Sequence, residues 1–165
     1  MLKLIAAVGE RGELGKDNKL LFNLPTDMKY FKEKTINSFV ICGARTLESF
    51  PNKKPLKNRI TFVLCSKEKY YDNCIVYHNF ENLLHDVQII SKLYDVWVIG
   101  GGQIYKLFLP YCDELYLTHV YETIPDATTY FPIELVSQYF KLETMSDILL
   151  ENNYKFKFCK YIKSK

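Results

Sequence analysis

The sequence predicts a single α/β domain over residues 1–165, built on a central sheet of eight strands. That sheet is mixed but mostly parallel, with an antiparallel C-terminal edge and helices on both faces. Three observations carry this expectation. Short apolar runs alternate with helical periodicity from residue 2 to about residue 120, the order of a parallel sheet with crossover helices. Glycines close three of those runs, at Gly9, Gly43 and Gly100. The end of the chain then switches to a period of two: Tyr154, Phe156 and Phe158 alternate with Lys155, Lys157 and Cys159. That pattern predicts an antiparallel edge hairpin with one face in water.

Leu2 to Val8, nearly all apolar, reads as a buried strand. Residues 9–23 form a long, polar, glycine-containing loop, a length that often marks function. Pro25 opens a helix where its missing N–H costs nothing, and Leu24, Met28, Phe31 and Thr35 give that helix its core-facing stripe. Phe39 to Cys42 is a second strand, with a short helix at residues 44–50. Ile60 to Leu64 and the weaker Cys74 to Tyr77 are the next strands, and a helix spans Phe80 to Leu93. Val96 to Ile99 precedes three glycines and a helix reaching about Leu109, and Leu115 to Val120 is a further strand. No repeat, low-complexity segment or linker interrupts the chain.

The chain of 165 residues is long enough to bury a sizeable core, and 48% hydrophobic with 25% charged residues is an ordinary globular balance. A formal net charge of +3 is too mild for a nucleic-acid binder. The densest basic cluster, Lys53, Lys54, Lys57 and Arg59, reads on charge alone as a solvated loop. The five cysteines contain no CxxC pair and the three histidines are scattered, so free thiols in a reducing cytoplasm are expected and a metal site is not. No segment approaches the roughly 20 apolar residues needed to cross a bilayer. Met1 to Val8 is too short for a signal peptide.

Gly9, Gly12 and Gly15 before Lys16 fail as a phosphate loop: the spacing is one residue too long, and Asp17 stands where Ser or Thr should be. Gly100, Gly101 and Gly102 fail as a dinucleotide fingerprint, because Tyr105 occupies the third small position. Between strand and helix they are either a tight turn or a junction that brings a phosphate to a helix N-terminus. Gly43 with Arg45 and Thr46 forms a similar junction, and Ser66 and Lys67 could hold a further phosphate. Asp27, in the first turn of its helix, either stabilises the helix dipole or faces an apolar cleft, where it could pair with two parallel N–H groups.

These residues together resemble dihydrofolate reductase. The opening carries Ile5-Ala6-Ala7, Leu14-Gly15, Asn18 and Asn23-Leu24-Pro25-Thr26-Asp27. Gly43, Thr46, Glu48, Ser49, Pro55-Leu56 and Arg59 continue the pattern, as do Ile99-Gly100-Gly101-Gly102 with Ile104-Tyr105. Phe108-Leu109-Pro110, Leu115-Tyr116-Leu117-Thr118 and Tyr130-Phe131-Pro132 complete it, with residues 66–95 and 133–153 the weak stretches.

The resemblance implies NADPH-dependent reduction of 7,8-dihydrofolate to 5,6,7,8-tetrahydrofolate, in support of one-carbon metabolism. It also implies sensitivity to antifolates such as trimethoprim and methotrexate. Asp27 would hold the pterin edge and assist protonation, supported by Thr118. Ile5, Ala6, Met28, Phe31, Phe50, Leu56, Ile99 and Tyr105 would line the substrate pocket, and Arg59 would grip the glutamate carboxylate. Ala7, Leu14, Gly15, Asn18, Ile99 and Tyr105 would surround the nicotinamide ribose. Gly43, Arg45, Thr46 and the turn Gly100, Gly101, Gly102, Gln103 and Ile104 would hold the pyrophosphate, with Ser66 and Lys67 on the 2′-phosphate. The Gly100–Gly101 bond would be cis, and residues 9–23 would act as a lid. A monomer with no nucleic-acid or membrane partner is expected.

Four positions depart from the family pattern. Phe22 replaces a Trp whose N–H helps hold a catalytic water, and Leu21 replaces a Pro. Ala44 replaces a basic residue, and Thr128 stands near an Asp that helps close the lid. Other readings are a riboflavin-pathway reductase on the same fold, disfavoured by Asp27 and Arg59, and a non-catalytic folate- or NADPH-binding protein.

Overall fold

The computed structural model describes residues 1–17 and 19–164. β1 (Leu2–Val8) is followed by two short strands, β2 (Glu13–Lys16) and β3 (Lys19–Leu20), then α1 (Pro25–Thr35), β4 (Phe39–Gly43) and α2 (Ala44–Ser49). β5 (Ile60–Leu64), β6 (Ile75–Tyr77), α3 (Phe80–Ile90), β7 (Val96–Gly100), α4 (Gly102–Phe108) and β8 (Glu114–Val120) come next. The chain continues through β9 (Thr129–Tyr130), α5 (Val136–Tyr139), β10 (Phe140–Met145), β11 (Leu149–Glu151) and β12 (Tyr154–Lys163).

Eight strands form one path in the order β10, β12, β8, β1, β7, β4, β5, β6, and β11 pairs with β12 beside it. From β8 to β6 all neighbours are parallel. β12 runs antiparallel to both β8 and β10. Alternation along β1 divides the core. Leu4, Ala6 and Val8 face the cluster that includes Leu83 and Val87 of α3 and Ile104, Tyr105 and Phe108 of α4. Ile5 faces the other cluster, with Val40, Trp97 and Ile99, against Tyr30 and Phe31 of α1 and Leu47 of α2. Helices therefore cover both faces, as the pattern predicts.

Three local expectations change. Residues 9–23 are not a featureless loop: β2 pairs with β3 and with the distant β9, forming a second, three-stranded sheet. Their short length and glycines hide them from periodicity, and Gly12, at φ +88°, makes a turn that L side chains rarely adopt. Met28 is 62% exposed and leaves the core stripe of α1 to Leu24 and Thr35, which are buried. The C-terminal alternation does not leave one face of β12 in water, because Phe156 and Cys159, on opposite faces, are both buried. β10, unread in the sequence, is the exposed edge instead.

Candidate active site

The parallel strands converge so that the ends of β1, β4 and β7 lie side by side, the place where open α/β sheets bind ligands. At this rim Thr118 of β8 is registered opposite Ala7 of β1. Its Oγ1 donates to Oδ1 of Asp27 at 2.5 Å. Asp27 stands in the first turn of α1, where the helix dipole favours a carboxylate. Burial works the other way and wins. Loss of solvent raises the Asp27 pKa above its ordinary value, the Thr118 hydrogen bond only partly offsets this, and the charge of Glu151 adds to the rise. A half-buried carboxyl with enhanced proton affinity, held by a buried hydroxyl, is an arrangement suited to proton donation.

The cluster against which α1 packs is apolar. Ile5 and Ile99 are buried, while Phe31, Phe50 and Leu56 are partly buried against the same cluster. Ala6 is buried on the opposite face of the sheet, and Met28 is exposed on α1, so neither side chain joins this cluster. The Tyr105 hydroxyl reaches the carbonyls of Ile5 and Ile99 at 2.8 and 2.9 Å. Only 5% exposed, its side chain braces two strand ends. Arg59 lies at the other end of α1, where Nε and Nη2 donate to Thr35 Oγ1 at 3.2 and 3.1 Å and Nη1 to the Lys57 carbonyl at 2.7 Å. At 1.5 Å rise per residue, α1 separates Asp27 from Thr35 by roughly 12 Å. A carboxyl group and a guanidinium thus stand near the two ends of one helix, whose Tyr30 and Phe31 pack on an apolar cluster.

A second part of this rim is built by two strand–helix junctions. β4 leads into α2 and β7 into α4, with Gly43 and Gly101 at the N-caps. The Gly100–Gly101 bond is cis, and Gly100 has φ +119°. A Cβ on Gly101 would lie 3.4 Å from Thr46 Oγ1, and one on Gly43 3.2 Å from Ile104 Cγ1, so glycine lets the junctions stand close together. Arg45 and Gln103 are exposed here, with Thr46 and Gly102 half-buried. Ser66 and Lys67 are exposed just past β5. Guanidinium, ammonium and hydroxyl groups around helix starts form a donor set that fits a phosphate-bearing nucleotide.

Leu14 and Gly15, both buried, lie on β2. The strand is held by Glu13, whose carboxylate is buried at 1% exposure. It accepts Arg11 N and Ile124 N, each at 2.6 Å. Thr128 adds two bonds, N to the Gly15 carbonyl and Oγ1 from Asp17 N, both at 2.9 Å. Lys16 pairs with Asp126. Asn18, expected beside the nicotinamide, lies outside the described residues. Phe22 is 8% exposed in a separate cluster with Leu24, Val120 and Phe156, and meets Tyr154 edge-on at 5.5 Å. Sequence reasoning missed Glu13 and Glu151. A carboxylate between Gly12 and Leu14 in a polar stretch gives no sign of burial, and Glu151 belongs to a strand that the pattern does not reveal.

A family model described as dihydrofolate reductase matches residues 1–163. Dihydrofolate reductase of Buchnera aphidicola subsp. Acyrthosiphon pisum is 39% identical over 143 residues, covering 85% of this chain and 84% of that protein. The Lactococcus lactis enzyme is 32% identical, covering 98% and 96%. The solved dihydrofolate reductase from Enterococcus faecalis, complexed with NADP(H) and RAB-propyl, superposes with a TM-score of 0.87. It is 32% identical and covers 100% of this chain and 97% of its own.

Proposed function

The chain belongs to the dihydrofolate reductase family, and from that premise we propose how its own residues carry the reaction. The protein is an oxidoreductase that reduces 7,8-dihydrofolate to 5,6,7,8-tetrahydrofolate with NADPH. This reading is favoured over a riboflavin-pathway reductase and over a non-catalytic binder. NADPH supplies the hydride when bound. Asp27 accepts two N–H groups from the pterin edge and assists protonation of the ring nitrogen beside the carbon that takes the hydride. Thr118 fixes the Asp27 carboxyl, and the apolar walls around Ile5, Ile99 and Phe31 exclude water and align the rings. Arg59 grips the glutamate tail. Arg45, Thr46, Ser66 and Lys67 hold the phosphates, while Leu14 and Gly15 cover the nicotinamide.

The observation that carries this reading is the Thr118–Asp27 hydrogen bond at the rim where the strand ends meet. Loss of NADPH absorbance by the purified chain, dependent on added dihydrofolate, tests it. Turnover supports the assignment, whereas bound NADPH without turnover would bring back the non-catalytic reading.

We also infer that the chain works as a single domain and a monomer, in the cytoplasm and without a nucleic-acid partner. Five free cysteines, four of them buried, suit a reducing compartment. The net charge of +3 is weak for phosphate-backbone binding.

A further inference from the structure

α1 begins without a side-chain cap of its own. Its N-cap residue is Leu24, and Pro25 follows at the first helical position. The Thr26 N–H is therefore one of the orphan donors of the first turn. A group distant in sequence satisfies it. Glu151, the last residue of β11, accepts Thr26 N at Oε1 (2.9 Å) and the Thr26 hydroxyl at Oε2 (2.5 Å). The turn that presents Glu151 has both central residues left-handed, Asn152 at φ 51° and Asn153 at φ 65°, the geometry of a two-residue hairpin. The same turn grips the segment entering the helix, with Asn152 Nδ2 donating to the Asn23 carbonyl at 2.9 Å. Two residues of one hairpin thus hold residues 23–26, and Asp27 is next in the chain.

The surroundings of Asp27 make this carboxylate distinctive. Thr118 faces it from β8, Tyr30 from its own helix, Tyr105 from α4 and Glu151 from β11. Burial pushes the Tyr30 phenol up to about 12 and raises that of Tyr105, so both stay neutral where the enzyme works. Among the described residues, Glu151 is the charged group whose field reaches Asp27.

We propose that Glu151 is a positioning residue for Asp27: its carboxylate caps the first turn of the helix that carries this acid and fixes a negative charge on Thr26, the residue just before it. The proposal rests on the assignment of Asp27 as the acid. A carboxylate is well suited to both tasks, because it satisfies the helix start and opposes ionisation of its neighbour.

The test is the pH dependence of single-turnover hydride transfer in wild type, Glu151→Gln and Asp27→Asn. Gln keeps an acceptor for Thr26 N and removes the charge. The expected result is an inflection moved to lower pH by about half a unit in Glu151→Gln at low salt. That displacement shrinks as added salt screens the pair in wild type. A purely structural role would change the amount of folded enzyme and leave the inflection in place. An inflection at the wild-type position in Glu151→Gln overturns the proposal while the Asp27 assignment stands, provided that Asp27→Asn abolishes it. An inflection that survives in Asp27→Asn overturns both.

Discussion

The carboxylate of Glu13 accepts the backbone N–H of Ile124 at 2.6 Å, joining the strand that carries Leu14 and Gly15 to the connector after β8. The same carboxylate takes Arg11 N, so both ends of the turn at Gly12 hang on one buried group. Replacing Glu13 with Ala strands two amides, and a cost of about 3 kcal/mol is expected. Urea midpoints of wild type and Glu13→Ala at neutral pH measure it, and equal midpoints would remove the clasp from the account.

Protonation of Glu13 has a definite sign. Burial raises its pKa, but the bonds from Ile124 and Arg11 and the Arg11 charge more than offset this, so it lies below the ordinary carboxylate value. The folded state therefore binds this proton less tightly than the unfolded chain. The stability that Glu13 contributes is complete above about pH 4.3, and it declines as pH falls through the lower folded value. The urea-midpoint difference between wild type and Glu13→Gln should narrow on acidification through that window.

Asp27 carries the opposite sign. Its folded pKa is raised, first by burial, so its contribution is fully present below the unfolded carboxylate value and is lost as pH rises through the folded one. Asp27→Asn should therefore be more stable than wild type above that range. Thermal midpoints of the pair from pH 4 to pH 8 check the prediction, and parallel curves would contradict it.

Arg59 is preorganised by the Thr35 hydroxyl. Arg59→Lys loses that bracing and the bidentate grip, so KM for dihydrofolate should rise roughly tenfold or more with kcat little changed. A matching fall in kcat at constant KM would place Arg59 outside substrate binding.

Phe22 is packed against Tyr154 and Phe156. A larger indole at this site should cost about 1–3 kcal/mol through overpacking. Phe22→Trp should also alter turnover or trimethoprim inhibition, because it adds an indole N–H to the segment that leads into α1. No change in either measurement would show that the Phe does not set them.

Much of this was legible in the sequence, for physical reasons. The parallel strands bury both faces and leave continuous apolar runs, and the glycines at 43 and 100–102 mark junctions where a side chain would not fit. Asp27 stood out because it flanks an apolar helix stripe. What stayed hidden depends on distant partners. β2 and β3 are too short to show a period, and β2 finds β9 far along the chain. The polar residues of β10 look like a loop until β12 pairs with them. Met28 fits the helical stripe by spacing, yet faces outward, because α1 buries Leu24 and Thr35 instead. Glu13 and Glu151 act on backbone amides, which leave no mark in side-chain pattern.

The measurement that bears most directly on the central claim is the single-turnover rate of NADPH oxidation with dihydrofolate, compared between wild type and Asp27→Asn near neutral pH. The asparagine keeps the shape and removes the carboxyl group to which assistance in protonation is assigned. The account predicts a rate lower by about 10²–10⁴-fold, with NADPH binding unchanged. A variant that transfers hydride at the wild-type rate would contradict it and place the proton donor elsewhere.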